Sequence, residues 1–512
     1  MGRNILFITT DQQRFDALGC TGGRIARTPV VDALAAAGLN YTRAHNQSVV
    51  CMPARSTMVT GQYVRTHGCW MNGVPLPEDS PSVAAYLKER AGYHTALLGK
   101  AHFEPAFDPH GRWAEGRMAR EDSTGPYRGF DHVEFVMHGP VGFGHYPKFM
   151  REHHRAEIKH FYRQIFLDAD GQVCVNHEGG GDTGAPQAHV NPVPREIYHT
   201  DWVADRTLAY LDGLPDDADF FVWMSFPDPH HPWDPPASEI GRVDWRDLDL
   251  PPGYPGSADA CRAILAKKPR HWLDWFEGRG HVNVEAPPEF VPAALTPDQI
   301  REINALTHVE NELIDEACGR VLERVRERGW LEETDVFFTS DHGEFQGDFG
   351  LLFKGPYHVD ALMRVPLIWR PARTADVAPA KIEEPVGHVD LAATFCEIAG
   401  LPAPAWNHGH PLPTRSGSDR RQVLTEWDCE HRGTTTHIRS IYRDGFLCSA
   451  YEASSFYDGS EGELYDLTND PQQFENLWDD PARRTLRDDL VAQLYASLPE
   501  MPETWPEWEA PV

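Results

Sequence analysis

Long apolar runs are missing from this 512-residue sequence, and no stretch approaches the length that spans a bilayer. No membrane partner is expected. Near the start there is no basic region followed by an apolar core and a small-residue cleavage site. Instead a strand-like run, Asn4-Ile5-Leu6-Phe7-Ile8-Thr9-Thr10, comes at once. That pattern predicts a chain without a secretory signal, resident in the cytoplasm. The nine cysteines include no CxxC pair, which argues for reduced thiols and against a structural zinc site. Basic residues are scarce, 47 Lys and Arg against 77 Asp and Glu, for a net charge of −30. A balance this acidic argues against general nucleic-acid binding. It also repels anions at long range, so an anionic substrate would need a local group of cations.

What is present is a repeated alternation of strand and helix. The opening strand ends in Asp11-Gln12-Gln13-Arg14. Thr28-Pro29 opens a short helix closed by Gly38, and Ser80-Pro81 opens another that ends near Gly92. Tyr93–Leu98 reads as a strand running into Gly99-Lys100-Ala101-His102. Phe220–Phe226 is a buried strand by its continuous apolar run, and Pro-rich His230-His231-Pro232 follows it. From Thr296-Pro297 a long helix runs to Gly329, with Ile303, Leu306, Val309, Leu313, Ala317 and Val321 on one stripe. The strand Asp335–Thr339 ends in Ser340-Asp341-His342-Gly343, and the strand Pro366–Trp369 follows a loop carrying Lys354. A helix is expected near Val389–Ala399, ended by Gly400. This order predicts an α/β fold with a large, mostly parallel sheet sandwiched by helices. Residues 105–200 and 233–295 read as long, irregular stretches beside the site. Residues 402–420, rich in Pro, Gly and Ser, suggest a boundary between a catalytic domain at 1–412 and an α+β subdomain at 413–512. Short strands near 422–427 and 439–442 and a helix near 481–497 are expected beyond it.

The strand ends carry the chemistry. Asp11, Asp341 and His342 are candidate ligands for one divalent metal ion, Ca²⁺ or Mn²⁺, with the imidazole tilting the choice toward Mn²⁺. Arg55, Lys100 and Lys354 could gather around a tetrahedral anion, and His102 and His230 could move protons. Each has a bland alternative. Asp11 could cap a helix, Asp341-His342-Gly343 could be a plain turn, and single lysines are usually solvated. A lone Cys51 is usually a small buried hydrophobe. The joint occurrence at successive strand ends favours a site. The stretch Arg270–Phe276, with Trp272 and Trp275, could stack on a sugar or aryl group, or pack a lid or a subunit interface.

The centre of the pattern is Cys51-Met52-Pro53-Ala54-Arg55, followed by Ser56, Thr57 and Thr60-Gly61. It resembles the signature of the type I sulfatases, a branch of the alkaline phosphatase superfamily. The resemblance extends to the opening strand, Gly99-Lys100-x-His102, the His230-x-Pro232 turn, Asp341-His342-Gly343, Lys354 and the late Glu463–Leu467 segment with Asp470-Pro471 and Asn476-Leu477.

The resemblance implies an alkaline-phosphatase-like fold and definite roles. Cys51 would be converted to formylglycine (3-oxoalanine) by a maturation enzyme, a formylglycine-generating partner. Asp11, Gln12, the residue-51 side chain, Asp341 and His342 would form the metal site. Arg55 would hold the hydrated aldehyde, His102 would orient it or take its proton, Lys100 and Lys354 would stabilise the transferring group, and His230 would protonate the leaving oxygen. Asn72 resembles a substrate-side Asn of the phosphonate monoester hydrolases, making Asn72, Lys100, His230 and Lys354 the substrate-binding set. Many arylsulfatases carry two adjacent Asp residues after the first strand and Asn after the later Asp. The pairs here, Asp11-Gln12 and Asp341-His342, resemble instead the phosphonate monoester hydrolases, choline-sulfatase-like enzymes and a group of bacterial sulfatases. The implied activity is hydrolysis of a small anionic ester. A sulfate monoester is the leading substrate, with phosphonate monoesters or phosphodiesters as the alternative. A second copy of the chain is a candidate partner.

Overall fold

The computed structural model describes residues 3–106, 108, 110–140, 142, 144–162, 165–167, 173–175, 180–280, 282–287, 289–431, 434–501 and 505–509. Parts of the two expected irregular stretches, 105–200 and 233–295, lie outside the described residues.

Eight strands form the main sheet: β1 (Asn4–Thr10), β2 (Leu39–Tyr41), β3 (His94–Gly99), β4 (His132–Phe135), β5 (Phe220–Ser225), β6 (Thr334–Ser340), β7 (Leu367–Arg370) and β8 (Ala380–Ile382). Their order across the sheet is β8-β2-β7-β6-β1-β5-β3-β4. The run β6-β1-β5-β3-β4 is wholly parallel, and β7 alone is antiparallel to both its neighbours. All seven residues of β1 are buried, because helices cover both faces of the sheet.

The helices that matter are α1 (Pro29–Ala36), α2 (Cys51–Thr60), α3 (Val83–Ala91), α4 (His199–Gly213), α5 (Pro297–Glu327), α6 (Leu391–Ile398) and α7 (Arg484–Ser497). Strand side chains alternate between faces, and the two resulting cores follow that alternation. Ile5 and Phe7 of β1 pack with Met58, Val83, Leu87 and Phe395 of α2, α3 and α6. Leu6 and Ile8 pack with Val31, Val203, Val309, Leu313 and Val321 of α1, α4 and α5. Val309, Leu313, Ala317 and Val321 of the apolar stripe read for α5 therefore face the sheet, while Ile303 and Leu306 near the start of the helix pack in a separate core with Trp272 and Phe345. Thr296 starts that helix through a reciprocal capping pair with Gln299. The helix before Gly92 starts later than the sequence suggests: Ser82, not Ser80, caps it by accepting from the Ala85 N–H.

A second, antiparallel sheet of four strands comprises β9 (Gln422–His431), β10 (Thr434–Arg443), β11 (Phe446–Tyr451) and β12 (Gly462–Asp466), with α7 packed on it. Its first two strands are ten residues each rather than short, because they pair as one long hairpin. Trp427, Ile438 and Tyr451 of this sheet share a core with Trp70, Trp272 and Phe345 of the larger part. Trp272 is fully buried there and Trp275 nearly so. They pack against Tyr357 and Phe345 and are closed to any ligand. Among the described residues, no helix is long and apolar enough to cross a membrane.

Candidate active site

The carboxyl ends of five adjacent parallel strands deliver the site, the place where open α/β sheets gather ligands. Asp11 follows β1, His230 follows β5, Lys100 and His102 follow β3, and Asp341 and His342 follow β6. His138 lies just beyond β4. Where β3 ends, Gly99 has φ +116, and a Cβ there would lie 1.8 Å from the Ser225 carbonyl oxygen. Only glycine lets the backbone pass so close, and the Lys100 N–H then bonds that same carbonyl at 2.8 Å.

Cys51 is the first residue of α2, after an extended Val50. All ten residues of this helix are buried, which explains why it shows no polar face. The Asn72 side-chain oxygen accepts from the Met52 N–H at 3.0 Å, satisfying one of the free donors at the helix start. Arg55, one turn on, is fully buried. It donates to Asp341 Oδ2 at 2.8 Å, to the Lys100 carbonyl at 2.8 Å, to Ser225 Oγ at 2.8 Å and to Asp11 Oδ2 at 3.3 Å. It thereby ties α2 to four strand ends.

Asp11, Cys51, Asp341 and His342 each offer one donor atom, and these atoms all lie within 4.8 Å of one another. Cys51 Sγ is 3.1 Å from His342 Nε2 and 3.7 Å from Asp11 Oδ1. His342 Nδ1 lies 2.9 Å from the Gly343 carbonyl oxygen. A carbonyl only accepts, so Nδ1 carries the proton and the Nε2 lone pair faces the cluster, as a metal ligand requires. Burial, outweighing Asp341, lowers the His342 pKa to about 4, so the ring is neutral at pH 7. Burial raises the Asp341 pKa, but neighbouring charges, those of Arg55 and Lys100 among them, outweigh it and hold that carboxyl well below the usual range. Two carboxylates and a neutral imidazole suit a divalent cation such as Mn²⁺ or Ca²⁺. The charges agree. Burial raises the Glu344 pKa to about 7, so Asp11, Asp341 and the half-buried Glu285 balance Arg55, Lys100 and Lys354, and a divalent ion would turn the pocket positive toward an anion.

Burial, together with Asp11, pushes the Cys51 thiol up to about 12. A thiol so placed stays protonated at neutral pH, unlike a thiolate nucleophile. Around it, Lys100 contacts Asp11 Oδ2 and lies 2.8 Å from His138 Nε2. Lys354 donates to Gln12 Oε1 at 2.8 Å and lies 2.9 Å from His230 Nε2. Gln12 donates its backbone N–H to Asp341 Oδ1 at 3.0 Å, and its side chain is held by Lys354, Glu344 and His231. His102 is buried, and among the described residues neither of its ring nitrogens has a partner. Burial, then Lys100, keeps it neutral, and its backbone sits at φ 55. Gln12 at φ 62 and Phe353 at φ 69 share that left-handed conformation, uncommon for such residues and concentrated where strain serves a site.

The structure thus brings Asp11, Cys51, Arg55, Lys100, His102, His230, Asp341, His342 and Lys354 together, with Gln12 and Asn72 beside them. Four neighbours were not singled out from the sequence. Ser225 receives Arg55, and Glu344 receives Gln12. His138 stacks on His230 with ring centroids 4.0 Å apart. Glu285 accepts from Asn72 Nδ2 at 2.8 Å. His138 was findable only by recognising the four-residue strand before it, and Glu285 carries no local signal at all.

The same residues can be compared with known proteins. The sulfatase family matches residues 3–401. The chain belongs to the sulfatase family. An N-sulphoglucosamine sulphohydrolase C-terminal family also matches residues 347–499. Similar sequences include "Uncharacterized sulfatase YidJ" of Escherichia coli (strain K12), 27% identical over 484 residues, covering 93% of this chain and 83% of that one. "Multifunctional alkaline phosphatase superfamily protein PehA" of Trinickia caryophylli is 28% identical, covering 94% of this chain and 93% of that one. The solved phosphonate monoester hydrolase of Agrobacterium radiobacter superposes with TM-score 0.75 at 22% identity, covering 97% of this chain and 95% of that one. This sulfatase-family hydrolase therefore has the large mostly parallel sheet and small antiparallel C-terminal sheet of its structural relatives.

Proposed function

We propose that this chain hydrolyses sulfate monoesters, using formylglycine made from Cys51 and one divalent metal ion. The observation that carries the reading is the convergence of Cys51 Sγ, His342 Nε2 and the Asp11 and Asp341 carboxylates within 4.8 Å at the start of α2. In the unmodified chain, Sγ stands where the oxygen of the hydrated aldehyde would be. Asp11, Asp341, His342 and the residue-51 oxygen would hold the ion, with Gln12 at the margin. When bound, the ion supplies Lewis acidity and lowers the pKa of the nucleophile.

The chain's own groups account for the rest. Arg55 orients the residue-51 side chain and fixes Asp11 and Asp341 for it. One hydroxyl of the hydrated aldehyde attacks sulfur, and the S–O bond to the alcohol breaks. His230 is held neutral by burial, so it would pass to the alcohol oxygen a proton taken from the Lys354 ammonium, 2.9 Å from its Nε2. Lys100 and Lys354 stabilise charge gathering on the sulfuryl oxygens. His102, with two free ring nitrogens, then takes the proton of the second hydroxyl. The carbonyl re-forms and sulfate leaves, a step that a serine or cysteine side chain has no means to perform. A maturation enzyme is a required partner for residue 51.

Mass spectrometry of the peptide around Cys51 tests this. Active protein should carry an aldehyde at residue 51, and an intact thiol in active protein would refute the mechanism. A second reading, phosphonate monoester or phosphodiester hydrolysis by the same groups, is favoured by the similarity to the multifunctional protein PehA. An aryl sulfate and an aryl phosphonate monoester compared at equal concentration separate the two. Much faster turnover of the phosphonate would displace the sulfate reading.

A further inference from the structure

Among the described residues two pocket carboxylates have no task in the proposed reaction: Glu344, whose oxygens are taken up by Gln12 and by the Gln346 and Phe353 N–H groups, and Glu285, which keeps an oxygen free. Its position is set from two sides. On one side its Oε2 accepts from Asn72 Nδ2 at 2.8 Å, and Asn72 in turn caps the Met52 N–H next to Cys51. On the other, Asn283 donates to the Lys354 carbonyl at 2.7 Å and accepts the Glu285 N–H at 3.0 Å. Gly355 makes that second attachment feasible: its φ is +143, and a Cβ there would lie 2.3 Å from Asn283 Oδ1. The segment carrying Glu285 is therefore clamped between the nucleophile's helix and the Lys354 loop.

A structural counter-ion would be expected to pair directly with Lys354. Among the described residues no ion pair joins them, since the Lys354 ammonium is occupied by Gln12 and His230. Glu285 is half-buried, and its Oε1 has no partner among the described residues. Burial raises its pKa, while Lys354 and Lys100 oppose that shift, consistent with a carboxylate that borders the anion pocket. A free carboxylate oxygen would repel the sulfuryl group, so its complement is a donor on the other half of the ester.

We propose that Glu285 selects esters whose organic group carries a hydrogen-bond donor, a hydroxyl or an ammonium, a few bonds from the ester oxygen. The inference rests on the sulfate-ester reading above. Charge-assisted hydrogen bonds of this kind differ from unmade ones by about tenfold or more in binding.

Three alkyl sulfates of one chain length test it: ethyl sulfate, 2-hydroxyethyl sulfate and 2-aminoethyl sulfate. Released sulfate is measured with protein matured by a formylglycine-generating enzyme. The leaving groups differ in intrinsic reactivity, so the decisive quantity is how each kcat/KM ratio to ethyl sulfate changes on substitution. E285A should lower one or both donor ratios about tenfold. E285Q keeps an acceptor for Asn72 and removes the charge. It should lower the ammonium ratio while leaving a hydroxyl ratio largely in place, which tells the two donor sources apart. If E285A lowers all three substrates equally, Glu285 only steadies Asn72 and α2, and the proposal is overturned. Unchanged ratios overturn it as well. If matured wild-type protein turns over an aryl sulfate but none of the three, this inference alone is overturned; if it turns over neither, the sulfate-ester reading itself falls and this inference with it.

Discussion

Replacing Arg55 with lysine should keep the charge and lose the fold's tie. Arg55 makes four hydrogen bonds from three nitrogens, two to carboxylates on β1 and β6 and two to groups on β3 and β5. An ammonium is a point donor on a flexible stem and has no planar fork to reach opposite directions. From this position it can satisfy Asp341 or Asp11 and one neutral acceptor. The remaining carboxylate contact and one neutral contact are left unmade in a fully buried place. Bonds to charged groups contribute about 1.5–3 kcal/mol and neutral ones about 0.5–1.5 kcal/mol. The expected loss is therefore about 2–4 kcal/mol, a melting temperature lower by roughly 2–4 °C for a chain of this size. Differential scanning calorimetry at one scan rate, on protein stripped of metal by chelation, isolates the effect from ligand binding. A melting temperature within about 1 °C of the parent would mean that the four contacts carry no net stability, and the account of Arg55 as the tie between α2 and the strand ends would fail.

Acid should destabilise the protein well before its carboxylates titrate. Burial lowers the pKa of His45, His67, His271, His358 and His388 from 6.5 to about 3. Between those values the unfolded chain binds protons that the folded chain refuses, so stability falls as pH falls, on the order of 1.4 kcal/mol per pH unit for each ring. A urea midpoint that stays level from pH 7 to pH 5 would contradict this. Gly355→Ala puts a Cβ against Asn283 at a φ that disfavours side chains, and should cost about 1–3 kcal/mol and disturb the Lys354 loop. Equal thermal stability and equal KM would show that the close approach is not needed. Trp272→Ala empties a fully buried position and should cost about 3–5 kcal/mol without changing the ranking of aryl and alkyl esters. A changed ranking would restore the idea that this tryptophan meets substrate.

The sequence alone determined the local chemistry and the fold class, because both are written at short range. The period of apolar residues, the cap at Thr296 and the glycines after helices mark the elements. The Cys51–Arg55 turn, Lys100, His102 and Asp341-His342 all sit at recognisable strand or helix ends. Tertiary structure alone decided which of these ends meet. The order β6-β1-β5-β3-β4 is set by burial on both faces of the sheet, and it carries Asp11, His230, Lys100 and Asp341 from 330 residues apart to one edge. It also decided the roles that have no local pattern. His138 matters because a short strand places it on His230, and Asn72 because its oxygen caps the nucleophile's helix. The tryptophans at 272 and 275 prove to be core, because the C-terminal sheet closes over them. Glu285 is placed by its bond to Asn72, 213 positions away, and by Asn283, itself tied to Lys354, 71 positions on, and pairings of that range are a product of packing, to which the neighbouring sequence gives no clue.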